Sequence, residues 1–439
     1  MTRDDTAPSP QAAARALLAR NLGGAPLALT SVCSAHPLAI RGACEAAREA
    51  GQIALIEATC NQVNQEGGYT GLTPADYAAR VRAAAAEAGL AEGRLLLGGD
   101  HLGPHPWRHL PAEEAMTRAE AMVAAYVAAG FGKIHLDCSM RCAGDPEALP
   151  EPVIAARAAR LAAAAEAALG TAPEESRPIY VIGTEVPPPG GMGAGHEIAP
   201  TEAGAVRATV EAHRQAFAAA GLERAFSRVV AVVVQPGLDF GNDSVHHFAP
   251  DAADALAAEA PALGGLVYEA HSTDYQRREA YPALVARHFA ILKVGPAVTF
   301  ALREALYALE AIERELAPEA PSNLRAVMEA EMLAAPSDWQ GHYSGAEAAW
   351  LRHFSWSDRI RYYWARPAAA EAVARLEANL DARPWPLPLV SQSLPDCAEA
   401  LARGDLPMRV NDVALARIRA ALAPYYGASA AHDAGAAPG

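Results

Sequence analysis

The chain has 439 residues, 51% of them apolar and 6% aromatic, and its 36 basic against 51 acidic side chains leave a formal charge of −15 at neutral pH. That length exceeds the roughly 250 residues of one (β/α)8 barrel and leaves room for an appended domain. The negative balance opposes binding to a nucleic-acid backbone, and no apolar stretch reaches the roughly 18 to 20 residues of a membrane helix. The expected partner is therefore a small molecule, with no nucleic acid and no membrane.

Residues 1–10 are polar and proline-bearing, without a secretory pattern, and are expected to be disordered. Eight short apolar runs follow: Leu27 to Cys33, Ile53 to Thr59, Leu95 to His101, Lys133 to Ser139, Ile179 to Glu185, Val229 to Gln235, Leu266 to Ser272 and Ala290 to Pro296. They lack full alternation, as strands buried on both faces do. Helices are predicted between them over Leu38 to Ala50, Pro74 to Gly89, Ala112 to Gly130, Pro152 to Leu169, Pro200 to Gly221 and Pro250 to Ala260. Several open on Pro and close at Gly, the start and stop chemistry of helices. This alternation predicts an α/β chain whose residues 11–297 form a (β/α)8 TIM barrel.

The pattern then shifts to a helical extension over 298–427, with helices at Thr299 to Leu316, Asn323 to Leu333 and Arg366 to Leu380 around an aromatic-rich stretch from Trp339 to Trp364. It is expected to pack beside the barrel mouth or to form a subunit contact, which suits a homo-oligomer. Residues 428–439 read as a disordered tail. The cysteines at 33, 44, 60, 138, 142 and 397 are scattered rather than framework-like, so a reducing cytoplasm is expected.

All but the last of these apolar runs stop on a polar residue, and in a parallel barrel the strand ends meet on one face, where active sites are built. Strand three ends Gly98-Gly99-Asp100-His101. Adjacent residues of a strand point to opposite sides, so one could ligate a metal while the other handles a proton. Taken alone, the pair reads better as a turn cap and a satisfied rim histidine. Glu185, Gln235 and His271 end strands five, six and seven, and with His101 they form a plausible ligand set for a divalent ion (Zn, Mn or Mg). Glu57, Asp137 and Glu269 lie nearby as second-layer partners or barrel-core ion pairs.

The segment Pro187 to Glu197 mixes stiff prolines and flexible glycines, the composition of a movable lid, although a plain surface loop is the better description of its individual residues. Cys138 and Cys142 read as unreactive thiols, since nothing supplies a second pair. Arg359 and Arg361 stand among aromatics and could clamp a phosphate, with Lys293 and Ser272 as further contacts. A packed aromatic helix with ion-paired arginines is the competing description. Lys293 could also be a Schiff-base nucleophile, a role that a metal across the bowl makes less attractive.

Seven motifs, Gly98 to Pro104, His135 to Ser139, Gly183 to Pro187, Gln235 to Gly237, Glu269 to Gln276, Leu292 to Ala297 and Ser357 to Trp364, together resemble the GatZ/KbaZ family from about Ser31 to Tyr426. The resemblance implies either a D-tagatose 6-phosphate 4-epimerase or a non-catalytic subunit that stabilises a class II tagatose-bisphosphate aldolase. More distantly the barrel is similar to class II aldolases, which implies Asp100 as acid/base with His101 and His271 as metal ligands. Gln235 stands where the aldolase pattern has a histidine, a departure from cleavage that Glu185 could offset. A ketose C4 hydrogen is not acidic, so epimerisation there implies breaking and remaking the C3–C4 bond, with Asp100 or Glu185 taking the C4 hydroxyl proton. The expected ligand is then a small phosphorylated ketohexose, and the expected partner under the second alternative is the aldolase catalytic subunit.

Overall fold

The eight apolar runs form β1 (Leu29–Cys33), β2 (Ala54–Thr59), β3 (Leu95–Leu102), β4 (Lys133–Leu136), β5 (Ile179–Ile182), β6 (Val229–Val233), β7 (Val267–Ala270) and β8 (Phe289–Val294). Each pairs in parallel with its neighbours in sequence, and β8 pairs with β1 to close the barrel. The structure is a computed structural model that describes residues 8–183 and 198–429. The predicted strand end at Glu185, and the Pro187 to Glu197 segment, lie outside the described residues.

Strand alternation sorts each run into two faces. Ile56, Leu97, Ile134, Tyr180, Val232, Tyr268 and Leu292 pack outward in the core shared with the helices. Leu29, Leu55, Leu96, Ile179, Val181, Val233, Val267 and Ile291 fill the barrel floor. The helix Pro10–Leu22 adds Ala14, Leu17 and Leu18 to that floor, an element absent from the sequence expectation. Ser9 starts it, accepting a hydrogen bond from Ala12 N, and proline follows in the first turn.

Two residues further along the strands, the inward positions change character. Glu57 follows Leu55, Glu269 follows Val267, Lys293 follows Ile291, and Lys133 opens β4; all four are buried. The next inward positions, Asp100, His135 and His271, reach the mouth. The barrel thus has an apolar floor, an ionic middle and a histidine-rich rim.

After β8 the extension is helical, and among the described residues it holds no strand. Its last helix, Val410–Gly427, packs against both the helix after β1, Pro37–Glu49, and the helix after β8, Pro296–Leu316. Gln52 Nε2 donates to Tyr426 O and Ser429 O at 3.0 Å each, and Ala28 N donates to Ser429 Oγ at 3.0 Å. The segment through Ser429 is therefore bound to the barrel. No described helix is long and apolar enough to cross a membrane. A short hairpin pairing Asp239–Phe240 with Val245–His246 follows β6, again unforeseen from sequence.

Candidate active site

At the C-terminal ends of the strands opens a cavity of about 180 Å³, lined by Asp100, His101, His271 and Lys293 of the barrel and by Arg359 and Arg361 of the extension. The backbone at β3 departs from the sequence expectation. His101 has φ +48°, and the register against β4 shifts between Gly99 and Leu102. A left-handed residue at a bulge breaks the alternation, so Asp100 and His101 face the same cavity rather than opposite sides. Ser272, with φ +51°, does the same beside His271. Such conformations persist where the surroundings over-determine them.

Three imidazoles meet here, with ring centroids 4.8 to 5.5 Å apart. Each is fixed by its far nitrogen. His101 Nδ1 lies 2.8 Å from Asp137 Oδ2, and Asp137 is itself held by Ser139 N and Oγ at 3.1 and 2.7 Å. His135 Nε2 donates to Gly183 O at 2.9 Å, while its Nδ1 lies 3.0 Å from Asp100 Oδ1. His271 Nε2 lies 2.9 Å from Glu269 Oε1. Asp100, His101, His135 and His271 each offer one ligand atom, all within 4.8 Å of one another, so this group can hold a metal ion.

The electrostatics follow from burial against charge. Burial opposes charging His101, but Asp100 and Asp137 outweigh it and raise the imidazole to about 9. Burial dominates at His271 and lowers it to about 4, keeping it in the neutral form a metal requires. Asp100 resists its own burial through His101 and Lys293 and stays well below the usual carboxylate range. Lys293 is likewise opposed by burial, yet Asp100, Glu57 and Glu269 raise it well above an ordinary lysine. A lysine held protonated is a poor Schiff-base nucleophile.

Two sequence expectations land elsewhere. Gln235 lines a neighbouring cavity rather than the one holding the imidazoles, and its Oε1 accepts from Gly237 N and Leu238 N at 2.8 and 3.0 Å, which spends it on the turn after β6. Lys293, read as a phosphate contact, sits among carboxylates, with Nζ 2.6 Å from Glu57 Oε2 and in contact with Asp100. Arg359 and Arg361 do reach the cavity, Arg359 donating to Asp338 O at 2.7 Å and Arg361 to Tyr362 Oη at 2.9 Å.

Residues 15–430 match the family described as D-tagatose-1,6-bisphosphate aldolase subunit GatZ/KbaZ-like. The chain belongs to the GatZ/KbaZ-like family. Among relatives in it, a D-tagatose 6-phosphate 4-epimerase of Agrobacterium fabrum is 50% identical, over 94% of this chain and 97% of that one. A D-tagatose-1,6-bisphosphate aldolase subunit GatZ of Salmonella typhimurium is 49% identical, over 93% and 97%. A crystal structure described as a probable tagatose 6 phosphate kinase from Sinorhizobium meliloti superposes with a TM-score of 0.84 at 48% identity, covering 91% of this chain and all of that one.

In this GatZ/KbaZ-like chain, sequence reasoning missed His135 and Lys133. Both are inward residues of β4, two and four positions before Asp137, and stepping back from Asp137 by twos would have found them. Lys133 Nζ lies 2.6 Å from Glu57 Oε1 and 2.8 Å from Glu269 Oε2. Gly98 makes room for Glu57, since a Cβ there would lie 2.7 Å from Glu57 Cγ.

Proposed function

We propose that the chain is an isomerase, a D-tagatose 6-phosphate 4-epimerase that forms D-fructose 6-phosphate by retro-aldol cleavage and re-addition and works with a divalent metal ion. The observation that carries the reading is the convergence of three imidazoles with Asp100 at the barrel mouth, in a chain 50% identical to a relative of that name. Charge is compatible with a bound ion: the carboxylates Glu57, Asp100 and Glu269 outnumber the two ammonium groups that contact them, Lys133 and Lys293, and an ion held by His101 would take the place of the proton that this imidazole otherwise holds. His101, His135 and His271 would hold the ion with Asp100, and once bound it supplies Lewis-acid polarisation of the ketose C2 oxygen.

The chain's own groups do the rest. Asp100, kept ionised by its neighbours, takes the proton of the C4 hydroxyl as the C3–C4 bond breaks. The bond pair passes into an enediolate of the C1–C3 fragment, and C4 becomes an aldehyde. Turning the aldehyde exposes its other face, the enediolate re-forms the C3–C4 bond there, and Asp100 returns its proton to the new C4 oxygen. Glu185 is a second candidate for base or ligand, outside the described residues. Arg359, Arg361 and Ser272 hold the phosphate, so the aldehyde fragment turns without leaving. The six cysteines are all free, which supports a reducing cytoplasm.

The test is to incubate the purified protein alone with D-tagatose 6-phosphate and Mn²⁺, Zn²⁺ or Mg²⁺. D-fructose 6-phosphate forms, and a chelator abolishes the reaction. The GatZ relatives favour a second reading, a non-catalytic subunit that stabilises a separate aldolase. No turnover alone, together with binding to an aldolase catalytic subunit and a rise in its activity, establishes that reading instead.

A further inference from the structure

Asp100 belongs to two ligand groups at once. One is formed with the three imidazoles; the other, with Glu57 and Glu269, brings three buried carboxylates within 4.8 Å of one another. Paired sites joined in this way hold two metal ions about 3.5–4 Å apart in many hydrolases and phosphotransferases. Here the carboxylate half already contains cations. Lys293 Nζ lies 2.6 Å from Glu57 Oε2, touches Asp100 Oδ2, and stands 4.0 Å from Glu269 Oε1. Lys133 supports Glu57 and Glu269 and is fully buried, whereas Lys293 lines the cavity.

The donor count of Lys293 separates a structural from a chemical role. An ammonium has three N–H donors. Glu57 and Asp100 take two, and Glu269 at 4.0 Å is beyond hydrogen-bond reach, so among the described residues the third has no acceptor. A buried, fixed positive charge with one donor turned to a cavity is the arrangement that stabilises an oxygen on which charge develops. We propose that Lys293 is a catalytic residue that stands in for a second metal ion: it keeps the centre mononuclear and donates its third hydrogen bond to the enediolate oxygen as the C3–C4 bond breaks. The catalytic half rests on the epimerase reading; the metal half does not.

Both halves are tested on the full chain. After loading with excess Mn²⁺ and desalting, wild type carries one ion per chain by elemental analysis, and Lys293→Ala, which opens the three-carboxylate group, carries two. Two ions in wild type, or a folded Lys293→Ala chain that still holds one, overturns the metal half whether or not the protein turns over. With D-tagatose 6-phosphate, Lys293→Met lowers kcat by about 100-fold or more while KM stays near wild type. A raised KM with kcat retained makes Lys293 a phosphate contact and overturns the catalytic half. A wild type that binds one ion and converts no substrate overturns the epimerase reading, and the catalytic half with it.

Discussion

At the scale of single residues, the site depends on which nitrogen each imidazole has left to offer. His135 spends Nε2 on Gly183 O, so in the neutral ring Nδ1 carries the lone pair, which accepts from His101 N at 3.2 Å and lies 3.0 Å from Asp100 Oδ1. His135 and Asp100 both belong to the group that can hold an ion. His135→Ala is therefore expected to weaken metal binding by at least 10–100-fold, the loss seen even for supporting residues around a metal. Gln235→Ala, by contrast, removes a turn acceptor and should leave metal affinity unchanged while costing about 1 kcal/mol of stability. Competition with a chromogenic chelator at neutral pH compares the two, and a Gln235→Ala chain that loses metal as His135→Ala does would return Gln235 to the ligand set. The sequence pointed to Gln235 and passed over His135 because it weighed the last residue of each run. The inward register that decides the matter is set by pairing between strands and, at His101, by a bulge that no local pattern announces.

At the scale of elements, the long helix Pro296–Leu316 ties the barrel mouth to the arginine segment. Asp274 accepts from Gly295 N at 3.1 Å and Ala297 N at 2.8 Å at its start, and Thr299 Oγ1 donates to Asp358 Oδ2 at 2.6 Å. Asp358 precedes Arg359 and has φ +47°. Burial raises its carboxyl from an ordinary 3.8 to about 7. Between those values the folded chain holds a proton that the unfolded chain has lost, so stability present at low pH is lost as pH rises through about 7. The slope from this group approaches 1.4 kcal/mol per pH unit at most, at about one pKa unit per 1.4 kcal/mol. Asp358→Asn, which cannot ionise and can still accept from Thr299, should remove this contribution. Melting temperatures from pH 5 to pH 8 should fall more for wild type than for the variant, and parallel profiles would show that Asp358 does not titrate in this range. The aromatic-rich segment was legible in sequence as a wall with arginines. Its docking on the barrel was not, because Tyr275 donating to Trp356 O and Trp356 N donating to Asn242 O join residues 81 and more than 100 positions apart.

At the scale of the whole molecule, the barrel was legible because eight short runs and their helices repeat one local rule. The two elements that close it were not. The floor helix Pro10–Leu22 has its partners at the strand starts, and Val410–Gly427 completes the helical ring between the first and last barrel helices. Both depend on contacts between residues far apart in the chain, for which local periodicity carries no signal. Two glycines test the ring closure by sign. Replacing a helical Gly by Ala gains up to about 1 kcal/mol of helix propensity. At Gly204, in Ala203–Ala219, a new Cβ meets nothing within 4 Å, so Gly204→Ala should raise the melting temperature. At Gly42, in Pro37–Glu49, it would lie 3.1 Å from Ile418 Cβ and closer still to Ile418 Cγ2, where overpacking costs about 1–3 kcal/mol and outweighs the gain. Gly42→Ala should therefore melt lower than wild type, and Gly42→Ala with Ile418→Ala should recover part of that loss relative to Ile418→Ala alone. Equal stabilisation at both glycines would mean that the C-terminal helix does not seat against Gly42 and that another element closes the ring.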